Sequence, residues 1–81
     1  MSVIVFSASW CQPCRPFKAS LERAGIPFVV ADIDSKHGGE LADELGVASI
    51  PAAFLKTGGR YVRINNPSAA AVRAALQRHG E

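Results

Sequence analysis

Cysteine is scarce in this chain. There are two, Cys11 and Cys14, in a single Cys-x-x-Cys run. Small secreted domains that lean on disulfides need several bridges closing long loops. A bridge across two intervening residues closes a tiny loop and restrains little of the unfolded chain. The pair is therefore poorly placed as a staple, and its expected purpose is chemical. Long apolar runs are also missing: no stretch approaches the roughly 18 residues that a membrane span requires. The opening Met1-Ser-Val-Ile-Val-Phe6 has no cationic n-region and no extended apolar core, so it does not read as a signal peptide. A cytoplasmic location and no membrane partner are expected. Charge of one sign is not in excess, with nine Lys/Arg against seven Asp/Glu. The basic residues are interleaved with acids, and none of their groupings forms a nucleic-acid footprint. No internal repeat or low-complexity stretch interrupts the chain.

What is present suits one compact domain over residues 1–81, expected as a monomer. The chain is 48% hydrophobic and 20% charged, which excludes a disordered segment. Val3-Ile-Val-Phe6 is a β-branched apolar run, as in a strand buried on both faces. Ser7 to Trp10 reads as a loop. The spacing of Cys14, Phe17, Leu21 and Ala24 predicts a helix from about Cys11 to Ala24, stopped by Gly25. Pro13 fits its first turn, whereas Pro16 predicts a kink or a loosened turn.

Pro27 to Ile33 reads as a second strand, parallel to the first. Asp34 or Ser35 is the expected cap of a shorter helix. Leu41, Leu45 and Ala42 form its face, Gly38 and Gly39 weaken its first turn, and Gly46 ends it. Ala52–Lys56 and Arg60–Ile64 form a hairpin around Thr57-Gly-Gly59. Asn66 as cap and Pro67 as first residue open a last helix to about His79, with Ala69, Val72 and Leu76 inward. The class is α/β, in the order β-α-β-α-β-β-α.

Trp10-Cys-Gln-Pro-Cys14 lies between a buried strand and a helix. Two cysteines can be bridged when their Cα atoms lie about 4.4–6.8 Å apart, which residues i and i+3 of a first helical turn satisfy. The unpaired N–H groups and positive dipole end of a helix start favour a thiolate at Cys11, and Arg15 adds positive potential. Cys14 falls on the buried side. Cys11 is then the expected nucleophile and Cys14 the resolving thiol. A structural zinc needs four ligands, and His37 and His79 show no zinc spacing, so no metal and no cofactor is expected. Trp10 is expected to shield the site and line a docking surface. Phe54 and Tyr61 read as strand packing, Asp32 and Asp34 as a strand end and a cap, and Arg60 and Arg63 as solvated surface.

With Trp10-Cys-Gln-Pro-Cys14 and then Ser49-Ile-Pro51, the chain resembles the thioredoxin superfamily over its whole length. The resemblance implies a four-stranded mixed sheet in order 2-1-3-4, flanked by three helices. It implies a cis bond at Ile50–Pro51 beside the cysteines, and backbone hydrogen bonding of extended substrates there. Gln12 and Pro13 join Trp10, Arg15, Ile50 and Pro51 as active-site support. The stretch Glu40 to Val47 is thioredoxin-like. Chain length, Cys11-Gln-Pro-Cys-Arg15 and Leu21-Glu-Arg-Ala-Gly-Ile26 are similar to the glutaredoxin-sized NrdH-type redoxins. Those imply reduction by a thioredoxin-reductase-like flavoprotein and electron donation to ribonucleotide reductase.

The chain also departs from these patterns. Val5 stands where thioredoxins carry a buried acid, so proton handling at Cys14 is expected to differ, with water as a candidate. Ala8 replaces a glutaredoxin lysine, and Ile64-Asn-Asn-Pro67 replaces the Gly-Gly-x-Asp glutathione site. The Trp-Ser-Gly-Phe-Arg-Pro tail of NrdH-type redoxins is absent. The expected function is reduction of protein disulfides. The alternatives are a glutathione-dependent glutaredoxin, or a binding module with incidental redox activity.

Overall fold

The computed structural model describes residues 1–80. Seven elements follow in the order β1 (Ser2–Ser7), α1 (Cys14–Arg23), β2 (Val29–Asp32), α2 (Lys36–Glu44), β3 (Ala52–Thr57), β4 (Arg60–Ile64) and α3 (Ala69–His79). The four strands form one mixed sheet in the order β2-β1-β3-β4. β1 pairs in parallel with β2, Ile4 opposite Val29, and antiparallel with β3, Ile4 opposite Phe54. β3 and β4 form the expected hairpin, Leu55 opposite Val62. This is the thioredoxin-like α/β fold, and the expected strand order holds.

Alternation along β1 sorts the core into two layers. Val3 and Val5 point to one face, where they pack with Phe17 and Leu21 of α1, Val72 and Ala75 of α3, and Leu55. Ile4 and Phe6 point to the other face, with Phe54 and with Ala42 of α2. Phe6 and Phe54 meet edge to face at 5.6 Å. The first face is covered by two helices and the second by one.

Several boundaries differ from the sequence reading. Ser7 ends β1 instead of opening a loop. β2 is shorter than Pro27–Ile33 and lies at the sheet edge, where Val29 and Val30 are 58% and 47% exposed. α1 begins at Cys14, three residues later than expected, with Pro13 as N-cap. The later start moves Pro16 to the third helical position, whose N–H has no intrahelical acceptor in any helix. The expected kink at Pro16 thus loses its cause, and α1 runs unbroken from Cys14 to Arg23.

α3 is capped by Ser68, not Asn66, and the Ser68 hydroxyl accepts from the Ala71 N–H at 3.1 Å. Asn66 instead turns the chain with φ of 49°, and Pro67 lies ahead of the helix. Ala75, absent from the expected inner face, is buried beside Val72, while Ala69 and Leu76 are partly buried.

Both α1 and α2 stop as their glycines predict. Gly25 and Gly46 have φ of +71° and +69°. The Ile26 N–H returns to the Leu21 carbonyl at 3.0 Å, and the Val47 N–H to the Ala42 carbonyl at 2.9 Å. Each is a Schellman closure, which satisfies carbonyls left over at the helix end.

Candidate active site at the start of α1

The β1 strand ends in the interior, and the next six residues turn the chain into α1. The Cys11 N–H donates to the Ala8 carbonyl at 3.1 Å, and the Arg15 N–H to the Gln12 carbonyl at 3.2 Å. These two bonds hold Cys11 just ahead of the helix and Cys14 as its first residue. The Cα atoms are 5.4 Å apart, and the two sulfurs form a disulfide. Cys14 is fully buried and Cys11 nearly so at 4% exposure. They share a small apolar cluster with Ala8, Ile33 and Ile50.

The prolines shape the electrostatics. Of the four backbone N–H groups that a helix start leaves unpaired, Pro13 and Pro16 supply none. Arg15 spends its own on Gln12. Among the described residues the Cys14 N–H donates to no backbone acceptor. It is the free donor of this helix start, one turn from Cys11, and together with the helix dipole it favours negative charge there. Gln12, Pro13 and Arg15 are exposed around the pair.

Ile50 and Pro51 come to the site from the other side of the chain, and their peptide bond is cis. Ile50 packs directly in the cysteine cluster. Pro51 leads straight into β3. Thus the two sequence motifs, forty residues apart, do converge.

Beside them lies an open groove of about 520 Å³, lined by Trp10, Ile33, Ala42, Val47, Ser49 and Ile50. Trp10 is 64% exposed, so it walls this groove and is not core. Its indole Nε1–H donates to Asp34 Oδ2 at 2.9 Å. Asp34 is therefore a site residue, although the sequence presented it as a cap. The cap of α2 is Ser35, whose hydroxyl accepts from the Gly38 N–H at 3.0 Å and donates to the Asp32 carbonyl at 2.7 Å. A Cβ on Gly38 would overlap that Asp32 carbonyl. The glycine that weakens the helix by propensity is thus required by packing.

Arg63 also departs from the expected solvated surface. Its guanidinium lies over the Phe54 ring, 4.8 Å from the centroid. It donates to the carbonyls of Leu45 and Gly46 at 2.8 and 3.3 Å. A cation at the C-terminal end of α2 is favoured by the dipole, and it fixes the segment leading to Val47 and Ile50.

Fold and site together define a thioredoxin-fold protein with a Cys-x-x-Cys disulfide at the strand-to-helix turn. The thioredoxin family model matches residues 1–78, and the chain belongs to the thioredoxin family. It is 32% identical over 65 residues to a probable thioredoxin-2 of Caenorhabditis elegans, covering 74% of this chain and 44% of that protein. It is 33% identical over 66 residues to a glutaredoxin of Vernicia fordii, covering 75% and 62%. The chain thus spans less than two thirds of either relative. The thioredoxin structure of Fasciola hepatica superposes with a TM-score of 0.77 at 26% identity, over 95% of this chain and 78% of that one.

Proposed function

We propose that this chain reduces protein disulfides by cycling Cys11 and Cys14 between dithiol and disulfide. One observation carries the reading: the pair sits oxidised at a helix start, packed against Ile33 and Ile50, which also line an open groove. An extended client segment lies along Ser49–Pro51, with Trp10 as the far wall. The Cys11 thiolate attacks one client sulfur. The client S–S bond breaks, its distal sulfur leaves as a thiolate and takes a proton, and a mixed disulfide forms. Cys14 then attacks Cys11 Sγ. The Cys11–Cys14 bond closes, and the second client sulfur leaves with the electron pair. Two electrons and two protons from a reductase reopen the pair.

The reductase of this reading is a thioredoxin-reductase-like flavoprotein, in a reducing, cytoplasmic compartment. Ribonucleotide reductase is the client suggested by the NrdH-like stretches. The likeness to a glutaredoxin supports a second reading, with glutathione as reductant. Insulin reduction coupled to NADPH oxidation separates them. Turnover is expected with thioredoxin reductase. Turnover only with glutathione and glutathione reductase selects the second reading, and turnover with neither overturns both.

A further inference from the structure

Ser7 is the only polar residue in the buried core among the described residues, at 1% exposure. Its Oγ is also the only buried side-chain oxygen or nitrogen among them without a hydrogen-bond partner. Buried hydroxyls are almost always paired, and an orphan calls for a reason. The location supplies one. Ser7 continues the column of Val3 and Val5 on the α1 face of the sheet. On α1, Leu21 and Phe17 pack into that same cluster, and Cys14 follows one turn beyond Phe17. Both columns end at the same rim, where Ala8, the next residue after Ser7, touches the cysteines.

From this geometry we infer that the Ser7 hydroxyl donates a hydrogen bond to Cys14 Sγ once the Cys11–Cys14 bond has opened. In the disulfide, Cys14 Sγ is a neutral, weak acceptor and Ser7 stays unpaired. In the resolving step Cys14 carries negative charge inside an apolar pocket, where an unpaired anion is strongly disfavoured. The Ser7 hydroxyl is a buried, unpaired donor on the sheet face that α1 covers, free to turn to that charge. Ser7 keeps its own proton. The proton lost by Cys14 ends on the departing client sulfur, so the step balances without an added acid. The apolar groups packed with Cys14 are Ala8 from the turn, Ile33 after β2 and Ile50 before β3, besides Cys11 itself. The nearby charged residues Arg15, Asp32 and Asp34 are exposed.

This inference rests on the disulfide-reductase reading, yet its test needs neither client nor reductase. Reduced wild type, Ser7→Ala and Ser7→Thr, each labelled at cysteine Cβ, are titrated by NMR. Ser7→Ala is expected to raise the Cys14 midpoint by about one unit, a tenfold change in ionisation. Higher intrinsic nucleophilicity offsets about half of that, so resolution of a Cys11 mixed disulfide slows by about threefold at neutral pH. Ser7→Thr keeps the wild-type midpoint, and Cys11 is unmoved in both. The oxidised Ser7→Ala protein is expected to be as stable as wild type, because its hydroxyl had no partner to lose. An unchanged Cys14 midpoint in Ser7→Ala overturns the inference, as does equal destabilisation of oxidised and reduced forms. A null insulin assay overturns the proposed function and leaves the titration readable.

Discussion

The two faces of the sheet are built differently. The α1/α3 face is closed: Val5, Leu21, Leu55 and Val72 have no exposed surface there. The α2 face is half open: Leu41, Leu45, Val47 and Ile50 stay partly exposed around Phe6, Phe54 and Ala42. Both faces bury apolar side chains, and on the second polar contacts add to that burial. α2 is secured by the Ser35 cap, the Gly38–Asp32 approach and the Arg63 clamp. The difference divides the labour. The helix that covers the closed face begins with the fully buried Cys14, while the open face leaves a groove lined by Ile33 and Ile50, which also pack against the cysteines.

Breaking the closed face should have the largest effect. Leu21→Ala removes a fully buried side chain, and a loss of about 2–5 kcal/mol is expected in urea unfolding. Next comes Gly38→Ala, which forces α2 off the Asp32 carbonyl; overpacking of this kind costs about 1–3 kcal/mol. Arg63→Ala removes two hydrogen bonds and a cation–π contact at an exposed site, so about 1 kcal/mol is expected. Trp10→Ala should leave stability within about 0.5 kcal/mol, as for an exposed residue. It should raise KM for insulin about tenfold, or about 1.4 kcal/mol. Asp34→Ala, which only frees the indole, should raise KM by a smaller factor with kcat unchanged. A Trp10 variant that loses stability but not KM would erase the division between the faces.

The closed face was the more legible in the sequence. Its residues follow helical and alternating periods, and hydrophobic burial follows those periods directly. The Cys11-x-x-Cys14 motif was visible because its chemistry resides in the residue types, and Ile50-Pro51 only through the resemblance to the thioredoxin superfamily. The open face was hidden because its contacts are tertiary and polar. Nothing local tells that Gly38 must pass the Asp32 carbonyl, that Arg63 reaches Leu45 across 18 positions, or that Asp34 receives Trp10. The helix starts misread for a related reason. Pro13 and Pro67 both satisfy the first-turn preference, but Pro13 is a cap and Pro67 lies ahead of the Ser68 cap. Ser7 escaped notice because a single serine in a strand carries no pattern, and only its orphaned burial marks it.

Trapping of the mixed disulfide tests the central claim, that the two cysteines have separate roles, most directly. Cys14→Ser and Cys11→Ser proteins are each incubated with oxidised insulin, and the adducts are mapped by mass spectrometry. A stable insulin adduct on Cys11 of the Cys14→Ser protein is expected, with little or none on Cys14 of the Cys11→Ser protein. Equal trapping by both variants, or faster trapping through Cys14, would contradict it.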